Sequence, residues 1–159
     1  MANWNQNNDL IHGDSLLLYL TSGKTVVAYA TSCSLQVDAE TIDTSSKFSC
    51  KWSSNMGGKA GYTISADALY SSNASGISFD SLLEMMVKGE QVEWYMGEEA
   101  AWTGSCEENP HTLDTSKTYY NGKAVVTSCS LEAGNNEIAS CSITMTGAGE
   151  IMKNNQQIS

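Results

Sequence analysis

The residues best suited to chemistry lie in one acidic stretch, where Glu107 and Glu108 precede Pro110 and His111. Two carboxylates beside an imidazole are the parts of an acid–base pair or of a weak metal site. Catalysis also needs a positioned nucleophile, base and orienter, and adjacent residues in a proline-containing loop rarely supply that preorganisation. The five cysteines offer a second chemistry, thiolate attack by Cys33 or Cys129. Both read as core-facing strand residues, where a thiol behaves as a small hydrophobe. Zinc lacks a ligand set: there is no Cys-x-x-Cys, and His12 and His111 are far from each other and from any paired cysteines. The chain reads as a non-enzyme with no cofactor and no metal.

Charge narrows the field further. Eighteen acids face eight lysines, the net charge is −10, and arginine is absent. Arginine is the residue that forks onto phosphate and guanine, so a grip on DNA without it is unexpected. An acidic surface repels a polyanion. No apolar run approaches the ~20 residues of a membrane span, and the Asn-rich N-terminus has neither the basic patch nor the apolar stretch of a secretory signal. With an odd cysteine count and no secretory context, free thiols in a cytosolic fold are expected.

The elements follow from periodicity. Residues 1–13 read as a polar arm. An apolar strand starts at Leu16, a turn follows at 21–24, and a long strand covers 25–38. In its latter half Thr31, Cys33, Leu35 and Val37 face one way and Ser32, Ser34, Gln36 and Asp38 the other. Residues 39–60 show no period, and a loop of roughly twenty residues in a compact domain suggests a role of its own. Strands are expected at 61–71, 90–97, 117–132 and 137–147, the last two joined by a three-residue turn centred on Asn135 that sets Cys129 opposite Cys141. One helix is predicted, at about 79–88. Ser78 is placed to cap its start, Gly89 ends it, and Phe79, Leu82, Leu83, Met86 and Val87 form its apolar stripe. The fold class is mainly β: a β-sandwich or small barrel of about six to eight antiparallel strands with one flanking α-helix.

One repeat stands out. Thr31-Ser32-Cys33-Ser34-Leu35 recurs as Thr127-Ser128-Cys129-Ser130-Leu131, each copy after an apolar lead-in. The echo implies two similar β units. Their polar positions are Ser32, Ser34, Gln36 and Asp38 in the first unit and Ser128, Ser130 and Glu132 in the second. The strand at 61–71 adds Thr63, Ser65 and Asp67, and the last strand adds Ser140, Ser142 and Thr144. A solvent face ordinarily mixes in lysines and other long side chains. This one is made of small hydroxyls with a few carboxylates, a smooth surface without arginine forks or aromatic platforms for nucleic acid.

At this point the chain resembles the tail tube (major tail) proteins of long-tailed bacteriophages. The matching segments are Gly13-Asp14-Ser15-Leu16-Leu17-Leu18-Tyr19, the first copy of the echo, and Ala39-Glu40-Thr41-Ile42-Asp43-Thr44-Ser45-Ser46-Lys47. They continue with Lys51-Trp52, Gly61-Tyr62-Thr63-Ile64-Ser65-Ala66-Asp67-Ala68-Leu69-Tyr70, Tyr119-Tyr120-Asn121-Gly122-Lys123-Ala124-Val125-Val126-Thr127-Ser128 and Ser142-Ile143-Thr144-Met145-Thr146-Gly147-Ala148-Gly149. The resemblance implies a single domain over 1–159, carrying an N-terminal arm (1–13), an inter-ring loop (39–60), an acidic insertion at 98–116 without a family role, and a polar tail (150–159). It implies a homo-oligomer: hexameric rings with a β-sheet inner wall, stacked into a virion tail assembled in the host cytoplasm. Tape-measure and tail-terminator or baseplate proteins are the implied partners, double-stranded DNA passes through transiently, and the chain does not insert in a membrane. On this resemblance the lumen is lined by Ser32, Ser34, Gln36, Asp38, Thr63, Ser65, Asp67, Ser128, Ser130, Glu132, Ser140 and Ser142. Inter-ring contacts fall to Glu40, Thr41, Ile42, Asp43, Lys47, Phe48, Trp52 and Trp4.

Two other readings stay open on sequence. One is the inner tube of a contractile injection or type VI-like secretion system carrying protein effectors. The other is a monomeric carbohydrate- or protein-binding β-sandwich, with Trp4, Trp52, Trp94 and Trp102 as candidate sugar contacts. The strand residue Trp94 suits core packing better, and the tryptophans on arms and loops suit interface anchoring.

Overall fold

The computed structural model describes residues 10–21, 23–27, 29–72 and 76–158. Among the described residues nine strands form one antiparallel sheet: β1 (Leu16–Leu20), β2 (Thr25–Val26), β3 (Ala30–Asp43), β4 (Asn55–Leu69), β5 (Gln91–Glu98), β6 (Tyr120–Glu132), β7 (Ser140–Gly147), β8 (Met152–Lys153) and β9 (Gln156–Gln157). The order is β2-β1-β5-β6-β7-β4-β3, with the β8–β9 hairpin attached to the start of β6. The sheet curls into a half-barrel. Among the described residues the one α-helix, α1 (Phe79–Lys88), packs against β6.

The core lies on one face of the sheet, where Leu18, Leu20, Ile64, Trp94, Ala124, Ile143 and Met145 meet Leu82 of α1. Trp94 is fully buried as a core residue. Its indole Nε1 donates to the Tyr62 hydroxyl at 3.2 Å, and that hydroxyl donates to the Lys123 carbonyl. Two glycines make room for Tyr62. A Cβ at Gly147 would meet its ring at 2.5 Å, and one at Gly122 its hydroxyl at 2.8 Å.

α1 forms where the local signals place it. Gly89 adopts the left-handed conformation (φ 66°) and its N–H reaches the Met85 and Met86 carbonyls at 3.1 Å. Lys88 pairs with Glu84 at 2.7 Å. Two details differ from expectation. Ser78 occupies the cap position with extended backbone but makes no side-chain cap bond. The buried stripe is narrower, because Val87 and Leu83 are exposed while Met85 packs inward.

The strand boundaries differ more. The strand expected at 25–38 is broken at Tyr29, whose positive φ (53°) redirects the chain between β2 and β3. Thr31 does not face the core: a register irregularity between Ala30 and Ser32 displaces it, and the inward alternation begins at Cys33. Half of 39–60 is strand, because β3 and β4 stay paired out to Asp43↔Asn55. The pairing of β4 with β7 stops at Thr63↔Thr146, so among the described residues β3 and β4 run on alone as a two-stranded arm with a tip at 44–54. The β6–β7 connection is seven residues long rather than three, which puts Cys129 opposite Ile143 and Cys141 opposite Leu131.

The excursion at 98–116 lies over the β1–β5 end of the opposite face. Glu99 bridges Leu113, and Leu113 packs with Tyr19, Tyr95 and Tyr119 into a second small cluster. Burial, with Glu99 nearby, pushes the Tyr19 phenol far above its ordinary range.

Candidate functional site

Strand pairing gathers the predicted polar residues into ordered rows on the face opposite the core, which no other described element covers along β3, β4, β7 and β6. One row reads Ser32–Asp67–Ser142–Ser130 across β3, β4, β7 and β6, and the next reads Ser34–Ser65–Thr144–Ser128. Directly opposed residues share a face, so all eight side chains stand on the same side. Gln36–Thr63–Thr146 extends the face toward the arm, with Asp38 beyond it opposite Gly61. Glu132 opposite Ser140 closes the other rim. All thirteen residues expected on this face, Thr144 included, are therefore brought together, and no lysine stands in these rows.

The two rows are related by a local twofold. The β3–β4 and β6–β7 hairpins join through β4 and β7, and exchanging them maps Ser32 onto Ser128, Ser34 onto Ser130 and Cys33 onto Cys129. This explains the sequence echo. In each copy the threonine sits where the register shifts, and its hydroxyl bonds a carbonyl of the facing strand: Thr31 Oγ1 to Asp67 O at 3.2 Å, Thr127 Oγ1 to Thr144 O at 3.1 Å. A bulge that recurs at both symmetric sites acts as a structural device that bends the sheet. Thr127 and Thr146 also belong to this region, as does Thr31, which alternation had set on the core side; the repeated threonine is the available signal.

Asp67 stands where the second copy has Thr144, and it organises the first row. Its Oδ1 accepts from the Ser142 hydroxyl at 2.6 Å and its Oδ2 from the Ser32 hydroxyl at 2.9 Å. These donors favour the charged form and hold the carboxyl below the usual carboxylate range. The sign follows from linkage. The bonds favour the folded state above the ordinary aspartate pKa, and that contribution is lost as pH falls through the lowered value. Solvent exposure keeps it small. Ser142→Ala is expected to move the Asp67 titration upward toward that of a free aspartate, read by NMR of its carboxyl carbon; an unchanged midpoint would mean that Ser142 does not set it.

Among the described residues the side chains singled out for chemistry are not brought together. His111 Nδ1 pairs with Glu99 at 2.8 Å rather than with Glu107 or Glu108, which sit on a short 3-10 turn at Cys106–Glu108. Burial pushes the Cys33 and Cys129 thiols up, so both are held as thiols on the core side. Among the described residues there is no cluster of three or more metal-ligating side chains.

The arm carries the other predicted contacts. Glu40, Thr41, Ile42 and Asp43 end β3, with Ile42 opposite Met56. Lys47, Phe48 and Trp52 are on the tip, which is bonded within itself by Ser45 N to Asp43 Oδ1 at 2.8 Å and Thr44 Oγ1 to Ser54 Oγ at 2.9 Å. Phe48 is 96% and Trp52 86% exposed. Trp4 lies outside the described residues.

Comparison with known proteins agrees with this geometry. No curated protein matches the sequence. In fold the chain is similar to a subunit from the tail of an empty gene transfer agent particle refined with C6 symmetry (20% identity, TM-score 0.67, covering 90% of this chain and 98% of that one). It is also similar to the SPP1 tail tube protein (11%, 0.64, 94% and 81%). A third likeness is to a chain of the sheath–tube complex of an extracellular contractile injection system (13%, 0.60, 98% and 100%). The family model of phage tail tube proteins matches residues 11–153. Spanning almost the whole of the sheet just described, that match establishes that the chain belongs to the phage tail tube protein family.

Proposed function

We propose that six copies of this chain close into a ring whose inner wall is the hydroxyl face, and that stacked rings form the virion tail conduit through which double-stranded DNA leaves the particle. The observation that carries the reading is the uncovered face four strands wide, lined by serine, threonine and three carboxylates. A wall of short, neutral or negative groups gives phosphates no cation to hold. Six copies would bring about −60 charges to a ring, screened beyond ~8 Å at physiological salt. The repulsion therefore acts at the wall and leaves the axis passable.

Two further features support assembly. Among the described residues the outer edge of β3, 14 residues long, has no partner strand, and that of β2 meets only a single bridge to Ile77. A monomer rarely leaves so long an edge open, and pairing it with the next subunit continues the sheet around the ring. An isolated two-stranded hairpin is marginal in water, so the arm is built to lie on a neighbour. The C6 symmetry of the similar gene transfer agent tail supports six as the ring number. The likeness to a contractile-system chain supports a second reading, a sheathed tube with protein cargo. Sheath and spike genes beside this one would favour it, a tape-measure gene the phage reading. Electron microscopy of the concentrated protein is expected to show rings or tubes with a central channel. A chain that stays monomeric at every concentration would overturn the assembly.

A further inference from the structure

Strand directions give the subunit two unlike ends. The arm, the start of β6, the end of β5 and the β8–β9 hairpin lie at one end. The β6–β7 connection, the end of β1 and the start of β5 lie at the other. The two ends are also chemically complementary. The tip at 44–54 carries Lys47 and Lys51 and no acid, in a chain of net charge −10. At the opposite end, Glu132 precedes the β6–β7 connection and Glu137 lies within it, and no lysine lies in it. Among the described residues none of these four charges has an ion-pair partner within the chain. Each end also presents unburied apolar surface. Phe48 and Trp52 are exposed at the tip, and Leu131 (47%) and Ile138 (73%) beside the two glutamates.

We infer that the arm tip of one copy docks on the β6–β7 connection of a copy in the next ring, with Lys47 and Lys51 facing Glu132 and Glu137 and the Phe48 and Trp52 rings covering Leu131 and Ile138. The inference rests on the tube reading and names the receiving surface that reading needs. Surfaces that differ on the two ends make a head-to-tail contact that does not close on itself, and repetition of it grows a filament. The aromatic side chains supply the anchors, and the charges set register and orientation.

The test is a charge exchange in the full chain, read as the critical concentration for tube formation. Lys47→Glu with Lys51→Glu puts four like charges at the contact and is expected to raise that concentration about tenfold or more. Adding Glu132→Lys and Glu137→Lys to the same chain is expected to bring it back to within about threefold of wild type, as coupled partners do. A loss caused by misfolding would not be rescued by a second pair of substitutions at the far end. Crosslinking gives an independent reading. Cys50 is exposed at the tip, so in an Asn135→Cys, Cys106→Ser background a short bis-maleimide linker should convert assembled tubes into covalent linear multimers. Tubes formed equally well by the tip-reversed chain, no rescue, or no crosslink would each overturn the contact while leaving the tube reading standing. A wild type that never polymerises would end the tube reading and the contact with it.

Discussion

Replacing residues 40–59 with Asn-Gly is expected to give a folded subunit that no longer stacks. Ala39 and Ala60 are a directly opposed pair, so a two-residue turn can close the hairpin there without moving its base. Nothing between Val37 and Gly61 belongs to the hydrophobic core. The packing of Tyr62 and Ile64 against Trp94 and Met145 begins only after the arm ends, so the trimmed chain should melt cooperatively near the wild-type temperature. Stacking should fail for a different reason. The arm holds two large exposed aromatic side chains, and truncating an interface anchor of that kind typically costs ~2 kcal/mol, about 30-fold in affinity. Losing both from every subunit of a ring multiplies that loss. The measurement is paired: circular dichroism and thermal melting for the fold, electron microscopy and sedimentation for assembly. Undiminished tubes from the trimmed chain would remove the bridging role of the arm.

The arm also shows where sequence reading reaches its limit. Alternation of apolar and polar residues is visible when one face of a strand is buried, as in Cys33, Leu35, Ile64, Ala66 and Ala68. The stretch Gly57-Gly58-Lys59-Ala60-Gly61 faces no core within the subunit, so burial imposes no period on it and it reads as loop. Its pairing comes from the partner strand and the bonded tip, which no local pattern encodes. The hydroxyl face was legible for the opposite reason: a two-residue period fixes which side chains share a side once the strand is known. Turn length was the weak point in the last hairpin, and one misjudged connection moved Cys129 and Cys141 two residues out of register. The β8–β9 hairpin carries a local signal of its own. Asn154 and Asn155 both have positive φ, 51° and 59°, the pattern that asparagine pairs adopt in tight hairpin turns. What no reading of one chain could deliver is the choice of lumen, because that depends on how copies meet.

That choice has a sharp consequence for genome exit. Ser34→Lys, Ser130→Lys and Asp67→Lys together are expected to leave tube assembly intact and to arrest DNA release. The three positions are exposed in the subunit and lie on strands whose pairing uses backbone bonds, so the lysines need displace no core side chain. Asp67→Lys gives up its bonds to Ser32 and Ser142, which the surrounding solvent can replace. Each subunit gains about four positive charges, and every lysine that neutralises a phosphate releases a counterion and tightens non-specific binding. Repeated around a ring and along a stack, contacts that are individually weak become a continuous adhesive surface. Release triggered in assembled particles and followed by the appearance of free DNA should therefore stall at low salt. It should recover as salt is raised, since the logarithm of such binding falls linearly with that of salt concentration. Substituting glutamine at the same three positions separates charge from bulk: neutral side chains of similar length should slow exit little. Normal ejection from lysine-bearing tubes at low salt would mean that the hydroxyl face does not line the path of the DNA. The luminal wall would then have to be sought on another surface of the ring.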